Sequence, residues 1–346
     1  MARIVVAGCG SVGACIAYHL ALLGARDVVL ADRAEIAAGS TGKAMGGVRQ
    51  QFSTTAEVQL ARESVAFFEQ LGPSWFRQVG YLFVATTPEG AAELEERREL
   101  QQELGVPVER VDPQFVSGLN ADDVRGAVFC ATDGVADPPA LTREVVRRAV
   151  ERGVELRSHT DARELERDVL VIAAGAQSGE FGVELPVRPL VRQLLETDAI
   201  PELPVDLPMV IESESGFHFR RRDDCLRIAM SDAEPRWGFD ETVDESVFGD
   251  RLTRLAHRYP AAAGTGIARA WAGLYDMTPD AHPIIGPVGE GVYAACGFSG
   301  HGFMQSPAVG RAVAEELLRG ESTLDLTPYR LERFASGSAP AEEVVL

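Results

Sequence analysis

The residues of this sequence best suited to chemistry lie near its start. Gly8-Cys9-Gly10-Ser11-Val12-Gly13 places three glycines in the spacing G-x-G-x-x-G, and Asp32 follows nineteen residues after Gly13. Each part has a mechanical task in holding a dinucleotide. Gly8 permits a tight turn. Gly10 lets the backbone approach a pyrophosphate. Gly13 lets a helix lie close to the strand before it. A helix that starts here turns free N–H groups and partial positive charge toward phosphate. Asp32 is placed to accept hydrogen bonds from a ribose diol and to repel a 2′-phosphate. The elements that must hold these residues can be read on either side. Ile4-Val5-Val6-Ala7 is a short apolar run suited to a buried parallel strand. Residues 14–23 keep helical spacing, Gly24 stops them, and Val28-Val29-Leu30 is a second strand ending in Ala31-Asp32.

The chain has 346 residues, enough for about two domains and a large core. An apolar fraction of 46% with 25% charged residues is that of a globular protein, and no apolar run is long enough for a membrane span. The net charge of −19 argues against nucleic acid as a partner. Lys43 is the single lysine, so arginines must supply any local positive charge for an anionic substrate. Five scattered cysteines without a C-x-x-C pair are read as reduced thiols in a cytoplasm, without a metal site. Met1-Ala2-Arg3 runs straight into the first strand, so no signal peptide is expected.

A stretch of small residues from Ala37 to Gly47 lets backbone pass near a ligand, and Val48-Arg49-Gln50-Gln51-Phe52 follows it. Residues 55–71 predict an amphipathic helix, residues 79–86 a strand, and residues 88–104 a charged surface helix. A helix is expected over 140–152, and Val169 to Ile172 is a buried strand ending at Ala173-Ala174-Gly175. From 187 to 230 the pattern changes to alternation, which predicts antiparallel sheet. A helix over 241–257 and strands over 267–274 and 291–295 follow. Ser306-Pro307 predicts the start of a last helix over 308–319, with an irregular tail after Thr327. Gly300-His301-Gly302-Phe303 precedes that helix. A second helix start near the other terminus suits a flavin, whose ring gains negative charge on reduction.

These motifs together carry a family resemblance. GCGSVGACIAYHLA, GSTGKAMGGVRQQF, AAGAQS, WAGLYDMTPDAHPIIGP and GFSGHGFMQSPAVG, in that order, resemble the FAD-dependent D-amino-acid oxidase-like family. The nearest branch holds sarcosine oxidase β-subunits, proline and dimethylglycine dehydrogenases and glycine oxidases. The resemblance implies a glutathione-reductase-type, Rossmann-like α/β domain for FAD, with an α+β substrate domain built on a mainly antiparallel sheet. We expect the FAD domain over 1–72, 134–182 and 264–330, the substrate domain over 73–133 and 183–263, and a tail over 331–346. The resemblance also assigns contacts. Gly8, Gly10, Ser11, Val12 and Gly13 meet the pyrophosphate, and Asp32, with Arg33 beside it, holds the adenosine ribose. Ala162 touches the adenine. Ser40, Thr41 and Lys43 lie along the phosphates and ribityl chain. Met45, Gly46, Gly47 and Arg49 lie beside the isoalloxazine. Ala174 and Gly175 line the cofactor, and Gly300, His301, Gly302, Phe303 and Met304 cover its pyrimidine end.

The implied reaction is hydride transfer from the carbon beside an amine to flavin N5. Sarcosine, dimethylglycine, proline and glycine represent the substrate class; a 2-hydroxy acid is the alternative. Oxygen, a quinone or a partner protein accepts the electrons, and the chain works alone, as a homo-oligomer or as the flavin subunit of a hetero-oligomer. Departures from the family matter. Only Arg163-Glu164-Leu165-Glu166-Arg167 stands where the family has a β-meander, so the adenine side is expected to be bare. Monomeric sarcosine oxidases attach FAD through a cysteine where Gly273 stands here, which implies non-covalent FAD. Met304 and Phe52 occupy their carboxylate-binding positions, so substrate contacts do not carry over. Candidates for substrate contact and catalysis are Arg49, His218, Tyr275 and His301, with Arg220 on the same strand face as His218.

Overall fold

The computed structural model describes residues 2–336 and 341–345. Two large sheets organise them. The first has six strands in the order Ile284–Gly289, Val292–Cys296, Val169–Ile172, Ile4–Ala7, Val28–Ala31 and Glu155–Arg157. All neighbours are parallel except the edge pair Ile284–Gly289 and Val292–Cys296. The three central strands are the unbroken apolar runs of the sequence. They are covered on both faces, so no polar alternation is needed. The helix Ser11–Leu22 leaves the first strand and packs along the helix Gly302–Arg319. At Gly310 a Cβ would sit 2.5 Å from the backbone of Cys15, so only glycine permits this approach.

The second sheet has eight strands in the order Ile267–Met277, Arg188–Thr197, Cys225–Ala229, His218–Arg222, Met209–Glu212, Tyr81–Ala85, Gly126–Cys130 and Val108–Arg110. It is antiparallel apart from the Met209–Glu212 and Tyr81–Ala85 pair. The segment 264–330 therefore feeds both sheets, because its first strand pairs with Arg188–Thr197 before the chain crosses to Ile284. A small sheet of Gly47–Val48, Gly134–Ala136 and Phe76–Arg77 completes the fold. No described helix is long and apolar enough to cross a membrane. The five cysteines are free and buried.

Three elements differ from expectation, each for a local reason. The helix expected over 241–257 is Phe248–Arg258, preceded by a tight turn Glu245–Val247. Asp244 caps that turn through Ser246 N, and Glu241 is drawn away to Lys43. The last helix begins at Gly302, not after Pro307. Pro307 has no N–H to give the carbonyl of Phe303 four residues earlier, and the Ser306 hydroxyl donates to that carbonyl instead, at 2.8 Å. The strand expected over 267–274 continues to Met277, which carries Tyr275 and Asp276 into the sheet. The tail is not wholly irregular: Thr327–Tyr329 and Arg333–Ser336 are helical turns, and residues 341–345 return to the protein interior. Residues 337–340 and 346 of the expected tail lie outside the described residues.

Candidate active site

A cavity of about 590 Å³ opens between the sheets. It begins at the glycine turn. Gly8 has φ +114°, and a Cβ there would meet the Ala173 carbonyl oxygen at 2.3 Å. A Cβ on Gly13 would lie 1.9 Å from the Gly8 oxygen. The turn thus fits only glycines at both places. Gly8, Gly10, Ser11 and Val12 line the cavity; Gly13 does not, and acts from behind by letting the helix close on the strand. Gly10 is the N-cap of the helix and offers no side chain, while Ser11 N donates to Thr41 Oγ1 at 3.1 Å. The Asp32 carboxylate accepts from Cys9 N at 2.7 Å and Ala34 N at 2.8 Å, which fixes it at the strand end. Arg33 lines the same region, half-exposed and paired with Glu180. Ala162 lines the cavity from a single tight turn, Ala162–Glu164, the only regular element between Glu155–Arg157 and Val169–Ile172 among the described residues.

The middle of the cavity is tied together across the chain. Ser40 Oγ donates to Leu274 O at 2.6 Å, and Trp271 Nε1 donates to Lys43 O at 3.0 Å. Lys43 pairs with Glu241. These contacts clamp the small-residue stretch onto the strand Ile267–Met277. Thr41, Met45, Gly46, Gly47, Ala174 and Gly175 complete this part of the wall.

At the far wall stands the second helix start. His301 is its N-cap, with no side-chain cap, and Gly300, His301, Gly302, Phe303 and Met304 all line the cavity. Gly300 has φ +94° and lies against the ring of Tyr275, which a Cβ would strike at 2.4 Å. Burial and the nearby Arg49 hold His301 neutral, its pKa well below the usual histidine range. Its side chain faces Val344 O at 3.2 Å. Arg49 is fully buried. Its guanidinium donates to Val344 O at 2.6 Å and to Gln51 O, and lies 4.0 Å from the Phe52 ring centre.

His218 and Tyr275 line the cavity as well, but Arg220 does not. Arg220 Nε donates to Met45 O at 2.7 Å, so it braces the wall from behind and is not a substrate contact. His218 Nδ1 faces Gly216 O at 2.8 Å and must carry the hydrogen there; burial lowers its pKa to about 4, so the ring is neutral. Burial also raises Tyr275 above the usual phenol range. The sequence reading missed Arg192, Met209, Phe239 and Phe181, which also line the cavity. Arg192 had a signal: a lone cation inside the apolar run Leu190-Val191-Arg192-Gln193-Leu194-Leu195. Its NH2 donates to Ser231 Oγ at 3.1 Å, while its Nε and NH1 are buried without a partner.

Every carboxylate of the wall is engaged. Asp32 and Asp276 accept backbone N–H groups, Asp161 pairs with Arg163, and Glu241 pairs with Lys43. No group of His, Cys, Asp and Glu suited to a metal occurs among the described residues. The walls do fit a flavin dinucleotide: two helix starts whose N-cap residues give no side-chain cap face one cavity, and the turn before the first closes only with glycine at residues 8 and 13.

The comparisons with known proteins agree. The family described as FAD dependent oxidoreductase (DAO) matches residues 3–316. The bovine (Bos taurus) FAD-dependent oxidoreductase domain-containing protein 1 is 29% identical, over 99% of this chain and 87% of its own. Mouse (Mus musculus) mitochondrial sarcosine dehydrogenase is 25% identical over 96% of this chain, which spans only 41% of that protein. The crystal structure of L-proline dehydrogenase from P. horikoshii superposes with a TM-score of 0.90 at 29% identity, covering 98% of this chain and 99% of that one. The glycine cradle, the two helix starts and the match over nearly the whole chain lead to one assignment: this chain is an enzyme of the DAO family of FAD-dependent oxidoreductases.

Proposed function

We propose that this enzyme oxidises the carbon–nitrogen bond of an amino acid or N-methylated amino acid. The observation that carries the reading is the charge of the wall around His218. Arg192 and Arg49 approach a neutral imidazole there, and each lining carboxylate is already held by a backbone N–H or a cation. An amino acid brings an anion that needs a cation and an amine that must lose its proton. Arg192, with two buried nitrogens lacking a partner, takes the carboxylate. The same cations and the surrounding apolar wall disfavour an ammonium, so the amine sits in the site unprotonated. His218 Nε2 makes no hydrogen bond within the described protein and accepts one from the amine N–H. Tyr275, its ring against Gly300, closes the site from the side. Bound FAD supplies the acceptor for the hydride. The chain's task is to orient the C–H bond and keep water out.

Supporting relatives act on such substrates by name: sarcosine, dimethylglycine and L-proline dehydrogenases. In this reading FAD is held non-covalently and the setting is cytoplasmic. Oxygen, a quinone or a partner protein takes the electrons onward. The domain division stands as a proposal, except that the strand Ile267–Met277 belongs with the sheet of the substrate part.

The test is anaerobic bleaching of the flavin by a panel of primary, cyclic and N-methylated amino acids, their decarboxylated analogues and 2-hydroxy acids. Amino acids should reduce it and the decarboxylated analogues should not. Replacement R192M should raise KM for the carboxylated substrate by about 30- to 150-fold, from ~2–3 kcal/mol for a charged hydrogen bond, with FAD still bound. Reduction by 2-hydroxy acids alone would overturn the reading.

A further inference from the structure

The family match stops at residue 316, yet residues 342–344 reach the active-site wall. Arg49 and His301 line the cavity, and both are held by this late segment. Arg49 presents a buried charge, and a buried charge needs a partner to remain ionised. Among the described residues no carboxylate touches its guanidinium directly. A buried carboxylate, Glu342, only 3% exposed, stands one peptide away: Val344 N donates to it while Val344 O accepts from Arg49. The Glu342 carboxylate is fixed in turn, accepting from Ser53 N and Val344 N at 3.0–3.1 Å. Glu342 N donates to Asp280 O at 3.0 Å, and Asp280 is locked in a buried pair with Arg333. Two residues on, Val344 O accepts from Arg49 at 2.6 Å and lies 3.2 Å from His301 Nε2. The Val344 side chain is buried with Phe52, Phe83 and Leu94, which anchors the segment.

We infer that residues 342–344 form a positioning clasp for Arg49 and His301. Glu342 supplies the counter-charge for Arg49. The carbonyl of Val344 holds the guanidinium and stands 3.2 Å from His301 Nε2, to which Arg49 NH2 also comes within 3.4 Å. The clasp keeps one positive charge at the wall where the flavin gains negative charge on reduction. It touches neither substrate nor the reacting atoms.

Two variants separate the carbonyl from the side chain it carries. A chain lacking residues 344–346 loses the acceptor, whereas Val344→Ala keeps it. Both are made in the full-length background, loaded with FAD, and read without any amine: by FAD titration of the apo form, and by dye equilibration of the bound-flavin potential. The shortened chain should bind FAD at least tenfold more weakly. Its preference for the reduced flavin should also fall tenfold, a potential about 30 mV lower for two electrons. Val344→Ala should stay within threefold of the wild type in both. Should the shortened chain not fold, Glu342→Gln in the full chain reads the counter-charge, and at least a threefold weaker FAD affinity is expected. A shortened, folded chain with wild-type affinity and potential overturns the clasp, as does Val344→Ala matching the deletion, or an unaltered Glu342→Gln.

Discussion

Replacing Gly13 by alanine perturbs the cofactor turn without touching the cavity. The new Cβ would lie 1.9 Å from Gly8 O, where an ordinary carbon–oxygen contact is about 3.3 Å. The deficit of about 1.4 Å falls between a Cβ whose place the backbone sets and a backbone oxygen, so no rotamer change relieves it. Overpacking of this kind costs about 3 kcal/mol at the upper end of the usual range. Alanine in a helix returns about 1 kcal/mol in propensity. The net of about 2 kcal/mol opens the turn, and because the strained turn is the cradle, it appears as FAD binding weakened about 30-fold. FAD titration into the apo protein, followed by quenching of flavin fluorescence, gives the dissociation constant; circular dichroism shows whether the fold survives. Gly249, which is also helical but has nothing within 4 Å of an added Cβ, is the control. Its alanine variant should bind FAD as the wild type does. A Gly13→Ala protein that binds FAD within threefold of wild type would refute the reasoning.

Two further outcomes are expected. Ser306→Ala should leave the Phe303 carbonyl without its donor and cost about 1–3 kcal/mol. Adding Pro307→Ala should recover most of that in chemical denaturation, because residue 307 then has an N–H to give; strict additivity of the two changes would count against the account. Burial pushes the Asp276 carboxyl up to about 6, from an ordinary value of 3.8. Between those pH values the folded chain holds a proton that the unfolded chain has lost. The contribution of this group is therefore fully present below about pH 4, and about 3 kcal/mol of it is lost as the pH rises past 6. Asp276→Asn should remove that dependence while keeping an acceptor for Gly297 N, so equal pH slopes for variant and wild type between pH 4 and 7 would contradict it.

The sequence by itself determined whatever a few neighbouring residues encode. The spacing of Gly8, Gly10 and Gly13 specifies the turn, since the allowed backbone angles and the absence of a Cβ are local properties. The apolar runs at Ile4–Ala7 and Val169–Ile172 specify buried strands because no polar residue interrupts them. Nearly every residue assigned to the cofactor by resemblance therefore came to line one cavity. Tertiary structure alone decided what depends on partners far along the chain. Arg220 and His218 share a strand face, yet a carbonyl at Met45 draws Arg220 behind the wall. Arg192 became a candidate substrate contact only once Ser231 and Tyr275 were placed beside it. The partner of buried Arg49 is Val344 O, with the Glu342 carboxylate one peptide beyond, about three hundred residues later. A buried ion must be paired, but the chain meets that demand with whichever group the fold brings near, and no local pattern announces which.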